Sequence, residues 1–71
     1  MKIKKSYEKL GRKIQKLRKI TGLSQEEFAE RISISRTHMG HIEQGRKKPS
    51  LELLEKIAKE LKVKVHEIIP F

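Results

Sequence analysis

The sequence predicts a compact all-α domain, and three observations predict it. Apolar residues recur at helical spacing along nearly the whole chain. Capping residues stand at the breaks between those repeats. Alternating apolar and polar residues are confined to Ile32-Ser33-Ile34 and Val63-Lys64-Val65, which are too short for convincing strands and have no partners to pair with. With 71 residues there is room for one small domain. At that size folding buries only about 60% of the unfolded chain's surface, so the core is thin. The 25 apolar residues, nine of them Ile and seven Leu, suffice for a small helical core but leave little for a cavity that could enclose a substrate.

The first helix is expected from about Tyr7 to Ile20. Tyr7, Leu10, Ile14 and Leu17 form one apolar stripe, and Lys9, Arg12, Lys13, Lys16 and Lys19 fill the other faces. Gly22 follows as a left-handed stop. The second helix is expected over about 24–32. Ser24 and Glu27 have the spacing of a capping box, and Leu23 and Phe28 that of a hydrophobic staple. Phe28, Ala29 and Ile32 face inward. Ser35 is a fresh cap, so a third helix is expected over about 36–44. Met39 and Ile42 are its inner stripe, with Arg36, Thr37, Gly40 and His41 on the other side, and Gly45 ends it. Pro49 blocks continuation. Ser50 then starts a fourth helix over 51–61 with Leu51, Leu54, Ile57, Ala58 and Leu61 inward. A fifth, short turn is expected over 65–69, before Pro70, although Lys64 stands where Ser or Asp would cap it.

Charge narrows the function. The formal net charge is +9, and residues 1–19 carry nine Lys or Arg against the single acid Glu8. A second basic run, Arg46-Lys47-Lys48, lies mid-chain. Such a balance favours polyanion partners, nucleic acid first and an anionic membrane surface second. With no Cys there is no disulfide framework and no thiolate metal site. His38 and His41 are three apart but have no evident third ligand, so no metal and no cofactor is expected. No nucleophile–base–acid spacing, paired-carboxylate cleft or phosphate-cradling Gly loop occurs, so an enzyme is not expected. The apolar runs are too short to span a membrane and the first residues lack an apolar signal region, so a cytoplasmic location is expected.

Two helices joined by Ile32-Ser33-Ile34-Ser35 have the organisation of a helix-turn-helix. The stretch from Leu17 to Ala29 (LRKITGLSQEEFA) resembles the opening of the phage repressor and Cro-type (XRE-like) helix-turn-helix family. The stretch from Ser35 to Ser50 (SRTHMGHIEQGRKKPS) resembles its recognition helix and following loop, and Leu54 to Leu61 fits its fourth helix. The match covers residues 8–69. It implies a five-helix, lambda-repressor-like DNA-binding domain that regulates transcription, commonly as a dimer. Residue by residue, it implies base contacts from Arg36, Thr37 and His41. It implies phosphate contacts from Gln25, Arg46, Lys47 and Lys48, and a partly buried ion pair between Arg18 and Glu43. The partner implied is double-stranded DNA, as a near-palindromic operator bound by a homodimer.

The sequence departs from the family pattern at Ser33, where Gly is usual. A left-handed conformation there would strain Ser by about 1–2 kcal/mol. Gly40, inside the recognition helix, costs up to about 1 kcal/mol against Ala. It either allows close approach to a DNA backbone or has no role. The apolar residues Leu53, Val65, Ile68, Ile69 and Phe71 either finish the core or form a two-fold dimer patch. The rival reading is a protein-interaction module, adaptor or antitoxin-like, docking through that apolar end. A third is an RNA or anionic-membrane binder using the basic first helix. Few aromatic rings are present for base stacking, which disfavours RNA.

Overall fold

The computed structural model describes the backbone of residues 2–70 and the side chains of residues 7–70. Five helices follow one another: α1 (Lys2–Thr21), α2 (Gln25–Arg31), α3 (Arg36–Glu43), α4 (Leu51–Leu61) and α5 (Val65–Ile68). No strand occurs among the described residues.

α1 begins five residues before the apolar stripe does. Helix propagation is cooperative, and Lys is a good helix former, so the helix extends past the residues that anchor it. Leu10 and Ile14 are buried and Tyr7 and Leu17 pack beside them.

α2 opens with a complete capping box. The Ser24 hydroxyl accepts from the Glu27 N–H at 3.0 Å, and the Glu27 carboxylate accepts from the Ser24 N–H at 2.9 Å. The Ser24 N–H on the carboxylate, helped by the nearby Ser24 hydroxyl, favours the ionised acid and holds the Glu27 carboxyl below the usual glutamate range, with Arg31 adding a smaller pull.

The turn out of α2 closes as a Schellman motif. The Ser33 N–H donates to the Glu30 carbonyl at 3.2 Å, and the Ile34 N–H to the Ala29 carbonyl at 3.0 Å. Ser33 therefore takes φ 62°, in the left-handed region that favours glycine.

α3 is capped by the Ser35 hydroxyl, which accepts from the His38 N–H at 3.0 Å. It ends in the same way as α2. Gly45 donates to Ile42 and Arg46 to His41, at 3.1 and 2.9 Å. Gly45 has φ 77°, and a Cβ there would lie 2.7 Å from the Glu8 Cα, so both backbone conformation and α1 demand glycine. Gly11 has a different constraint. A Cβ on it would lie 2.5 Å from the Glu43 carbonyl oxygen and closer still to that of Ile42. The middle of α1 and the end of α3 thus meet backbone to backbone.

Ser50 caps α4 by accepting from the Leu53 N–H at 3.1 Å. α5 forms without a side-chain cap from Lys64. Glu67 reaches back instead, its carboxylate accepting from the Lys64 N–H at 2.6 Å.

The core draws on all five helices: Leu10 and Ile14, Phe28 and Ala29 with Ile32, Met39 and Ile42, Leu54, Ile57, Ala58 and Leu61, and Ile68. α3 packs on α1 and α2, while α4 and α5 close the other side of α1. Leu51 was expected inward but is 65% exposed. It is the first residue of α4, where the helix protrudes past the core, and Leu53 is half-buried against the core.

Replacing Ser33 with Gly removes the left-handed penalty without touching a core contact. Ser33→Gly is expected to stabilise the fold by about 1 kcal/mol, raising Tm by about 4–8 °C. Thermal unfolding followed by circular dichroism checks this; an unchanged or lower Tm contradicts it.

Candidate nucleic-acid interface

The orientation of α3 follows from its inner side. Met39 and Ile42 are essentially inaccessible and Glu43 is buried beside them, so the other positions turn toward the surface. Arg36 and Thr37, in the first turn, are exposed, while Gly40 and His41, a turn further on, are half-exposed. Ser35, Thr37, His38, His41 and Lys47 line one shallow depression of about 240 Å³. His38 thus joins the site. Its helical spacing from His41 is the available signal, but the sequence offers that pair only a metal-binding role, which it sets aside for lack of a third ligand. No group of three or more metal-ligating side chains occurs among the described residues.

The loop after α3 is folded back onto the helix end. The N–H groups of Arg46 and Lys47 both donate to the His41 carbonyl, at 2.9 and 3.3 Å. That brings Lys47 beside His41, and Pro49 is buried where the loop turns into α4. Arg46, Lys47 and Lys48 are all exposed. Among the described residues, the side chains of Arg36, Thr37, His41, Arg46, Lys47 and Lys48 have no hydrogen-bond or ion-pair partner within the chain. Their polar heads are available to a ligand.

Behind this face lies a buried polar cluster centred on Glu43. Arg18 Nε donates to Glu43 Oε2 at 2.6 Å and Arg18 Nη2 to Oε1 at 3.2 Å, with the two side chains 8% and 0% exposed. Gln15 and Gln25 donate to Oε1 at 3.3 and 2.8 Å. Arg18 Nη1 donates to the Leu23 carbonyl at 2.7 Å. The pairing is bidentate and charge-assisted, the strong form of such bonds. No buried side-chain nitrogen or oxygen is left unpartnered among the described residues.

Gln25 therefore does not wave in solvent. It is half-buried, and its amide is held by Glu43 with one Nε2 proton free to donate. That places an oriented donor at the N-terminal end of α2, beside α3.

The larger surface depression, about 440 Å³, lies elsewhere, and no residue of α3 lines it. Arg31, Lys59 and Lys62 surround it near the C-terminal ends of α2 and α4, where cations complement the helix dipole. An Arg31–Glu60 pair at 3.2 Å crosses it.

The apolar patch expected near the C-terminus needs correction. Ile68 is fully buried and belongs to the core. The short α5 turns it inward against α1 and α4. Leu53, Val65 and Ile69 are half-buried and pack on the core, and Phe71 lies outside the described residues. No helix among the described residues is long and apolar enough to cross a membrane.

A capped helix, a tight turn and a second helix with its polar side outward, backed by three more helices, define a helix-turn-helix domain. The comparisons agree. Residues 14–68 match the helix-turn-helix family model HTH_3, and the chain belongs to that family. The chain is 44% identical over 61 residues to the control protein C.MunI of Mycoplasma sp, covering 84% of this chain and 82% of the relative. It superposes on the restriction-modification controller protein C.AhdI of Aeromonas hydrophila with TM-score 0.87 and 31% identity, over 92% of this chain and 94% of that one. It superposes on the biofilm regulator SinR, solved in complex with DNA, with TM-score 0.78 and 33% identity, over 83% and 95%.

Removing one member of the buried pair strands the other. Arg18→Met is expected to destabilise the fold by about 3–5 kcal/mol. Urea denaturation checks this; a loss below 1 kcal/mol would show that Glu43 is satisfied by its glutamine donors alone.

Proposed function

We propose that the protein is a sequence-specific transcriptional regulator of the repressor and Cro type that seats α3 in the major groove of duplex DNA. The observation that carries the reading is the two-sidedness of α3. Met39 and Ile42 are locked in the core, while Arg36, Thr37 and His41 face outward with unpartnered heads, Thr37 and His41 sharing a depression with Lys47. A major groove about 12 Å wide admits one such helix.

The roles divide by reach and chemistry. Arg36 presents a guanidinium fork suited to guanine O6 and N7. Thr37 offers a methyl group for thymine and a hydroxyl for either bonding sense. His41 reaches a base edge one turn further along. Gln25 donates to a phosphate from the N-terminal end of α2, and Arg46, Lys47 and Lys48 contact the backbone on the other side. Phosphate contacts set register and affinity, and base contacts set the sequence. The net charge of +9 supports the electrostatic part of that affinity.

A homodimer would double the contact. Exposed Leu51 and half-buried Leu53, Val65 and Ile69 are apolar side chains near α4 and α5 that could serve a two-fold surface. Two copies then bind half-sites about 34 Å apart on a near-palindromic operator. The reading as an interaction module loses support because its docking surface depended on a free apolar end, and Ile68 is committed to the core.

Selection of bound duplexes from a random pool tests the reading. A two-fold symmetric consensus, bound about a thousandfold more tightly than random duplex at fixed salt, is expected. Equal affinity for all duplexes contradicts it. On the selected duplex, Arg36→Ala should lose about 1–3 kcal/mol of discrimination at one base position. Lys47→Ala should weaken all duplexes alike and flatten the salt slope by about one. Indistinguishable behaviour of the two variants would refute the division of roles.

A further inference from the structure

Three of the four glycines have a reason inside the fold. Gly11 has no room for a Cβ beneath the carbonyls of Ile42 and Glu43, and Gly22 and Gly45 hold φ +83° and +77°. Gly40 has neither reason. It sits in the middle of α3 with a right-handed helical backbone. A Cβ placed on it would have one neighbour, the Gln25 Oε1 at 3.9 Å, which is an ordinary contact. Glycine is the poorest helix former after proline, so the fold has both room for alanine and something to gain from it. The use of glycine at this position therefore lies outside the fold.

We propose that Gly40 is a DNA-contacting residue: with Gln25 it forms a Cβ-free notch that admits the sugar–phosphate of one strand directly against the α3 backbone. The proposal rests on the major-groove reading above. Gly40 lies one turn beyond Arg36 and Thr37 and next to His41, on a half-exposed flank of α3 turned toward Gln25 of α2. Its neighbour across the helix pair is Gln25, and Glu43 holds that amide by a 2.8 Å bond. A tethered donor cannot reach out for a phosphate. The strand must come to it, and a side chain at position 40 would stand in the way. The N–H of residue 40 is mid-helix and already committed within α3, so what glycine supplies is proximity rather than a hydrogen bond. Contact with the sugar–phosphate carries no sequence information. Loss of the notch should therefore weaken every duplex by the same factor.

Gly40→Ala tests this because stability and binding should move in opposite directions. The variant should melt about 4 °C higher than the parent. Its Kd at fixed salt should rise about tenfold on the selected duplex and by a similar factor on random duplex. In a Gln25→Ala background the further loss on adding Gly40→Ala should be under about threefold, since the two residues serve one contact. Wild-type affinity in Gly40→Ala overturns the proposal, as does a loss confined to the selected duplex, which would mean base readout. A lower Tm also overturns it, by giving Gly40 a reason inside the fold. If the parent binds no duplex from the pool, the major-groove reading falls and this proposal with it. If the parent binds and Gly40→Ala binds equally well, only this proposal falls.

Discussion

One buried carboxylate holds the arrangement together. Glu43 lies at the end of α3 with its side chain inaccessible, and it takes hydrogen bonds from Gln15 and Arg18 of α1 and Gln25 of α2. A charge in that position must be paired, because an isolated ion in the interior costs several kcal/mol. Its donors come from two other helices, so satisfying it fixes how three helices meet. The same pair contributes little net stability against an apolar replacement, by the usual balance of desolvation and attraction. Its effect is on geometry: α3 is set against α1 and α2 in a single register, and the Gln25 amide is set beside α3.

Close packing reinforces that register. At Gly11 and Gly45 the backbones of α1 and the α3 end approach so nearly that no Cβ fits. Steric exclusion and a directional polar cluster therefore act on the same joint. The Schellman closures after α2 and α3 terminate each helix within one residue and satisfy the last carbonyls. Short, well-ended helices suit a thin core, since each contributes only one to four buried apolar side chains. Ser33 shows the tension. The turn between α2 and α3 needs a left-handed residue, and the chain supplies one that tolerates the position poorly.

What was legible in the sequence was local. Ser24, Ser35 and Ser50 announced the starts of three helices because an N-cap acts within three residues. Met39 and Ile42 announced the inner side of α3 because periodicity is a property of one helix. The Arg18–Glu43 pair was legible only through family resemblance, since nothing local links residues 25 positions apart. The packing reason for Gly11 was missed for the same cause: the atoms that forbid a Cβ belong to α3. Leu51 was read inward because periodicity does not say where a helix overhangs its core. Ile68 was left between core and surface because a single turn has too few residues to define a face. Of the interface, the outward residues could be named from sequence, but the folding back of the 46–48 loop toward His41 and the tethering of Gln25 are tertiary facts.

The distribution of constraint bears on how such a domain can change its target. The inner side of α3 carries the core residues, the buried charge and the helix closure. Its outer side carries Arg36, Thr37 and His41, whose side chains bond to nothing else among the described residues. Substitutions at those outer positions leave packing and buried polar pairing intact, so stability changes there stay within about 0.5 kcal/mol. If those residues read bases as proposed, base preference could therefore shift without endangering the fold. The contrast is with Gln25, whose amide serves Glu43 on one side and faces the interface on the other. A change at Gln25 disturbs the buried cluster and the candidate phosphate contact together. In the proposed division of roles, sequence readout and backbone anchoring would thus sit under unequal physical constraint, because only Gln25 is coupled to the joint that orients the helices.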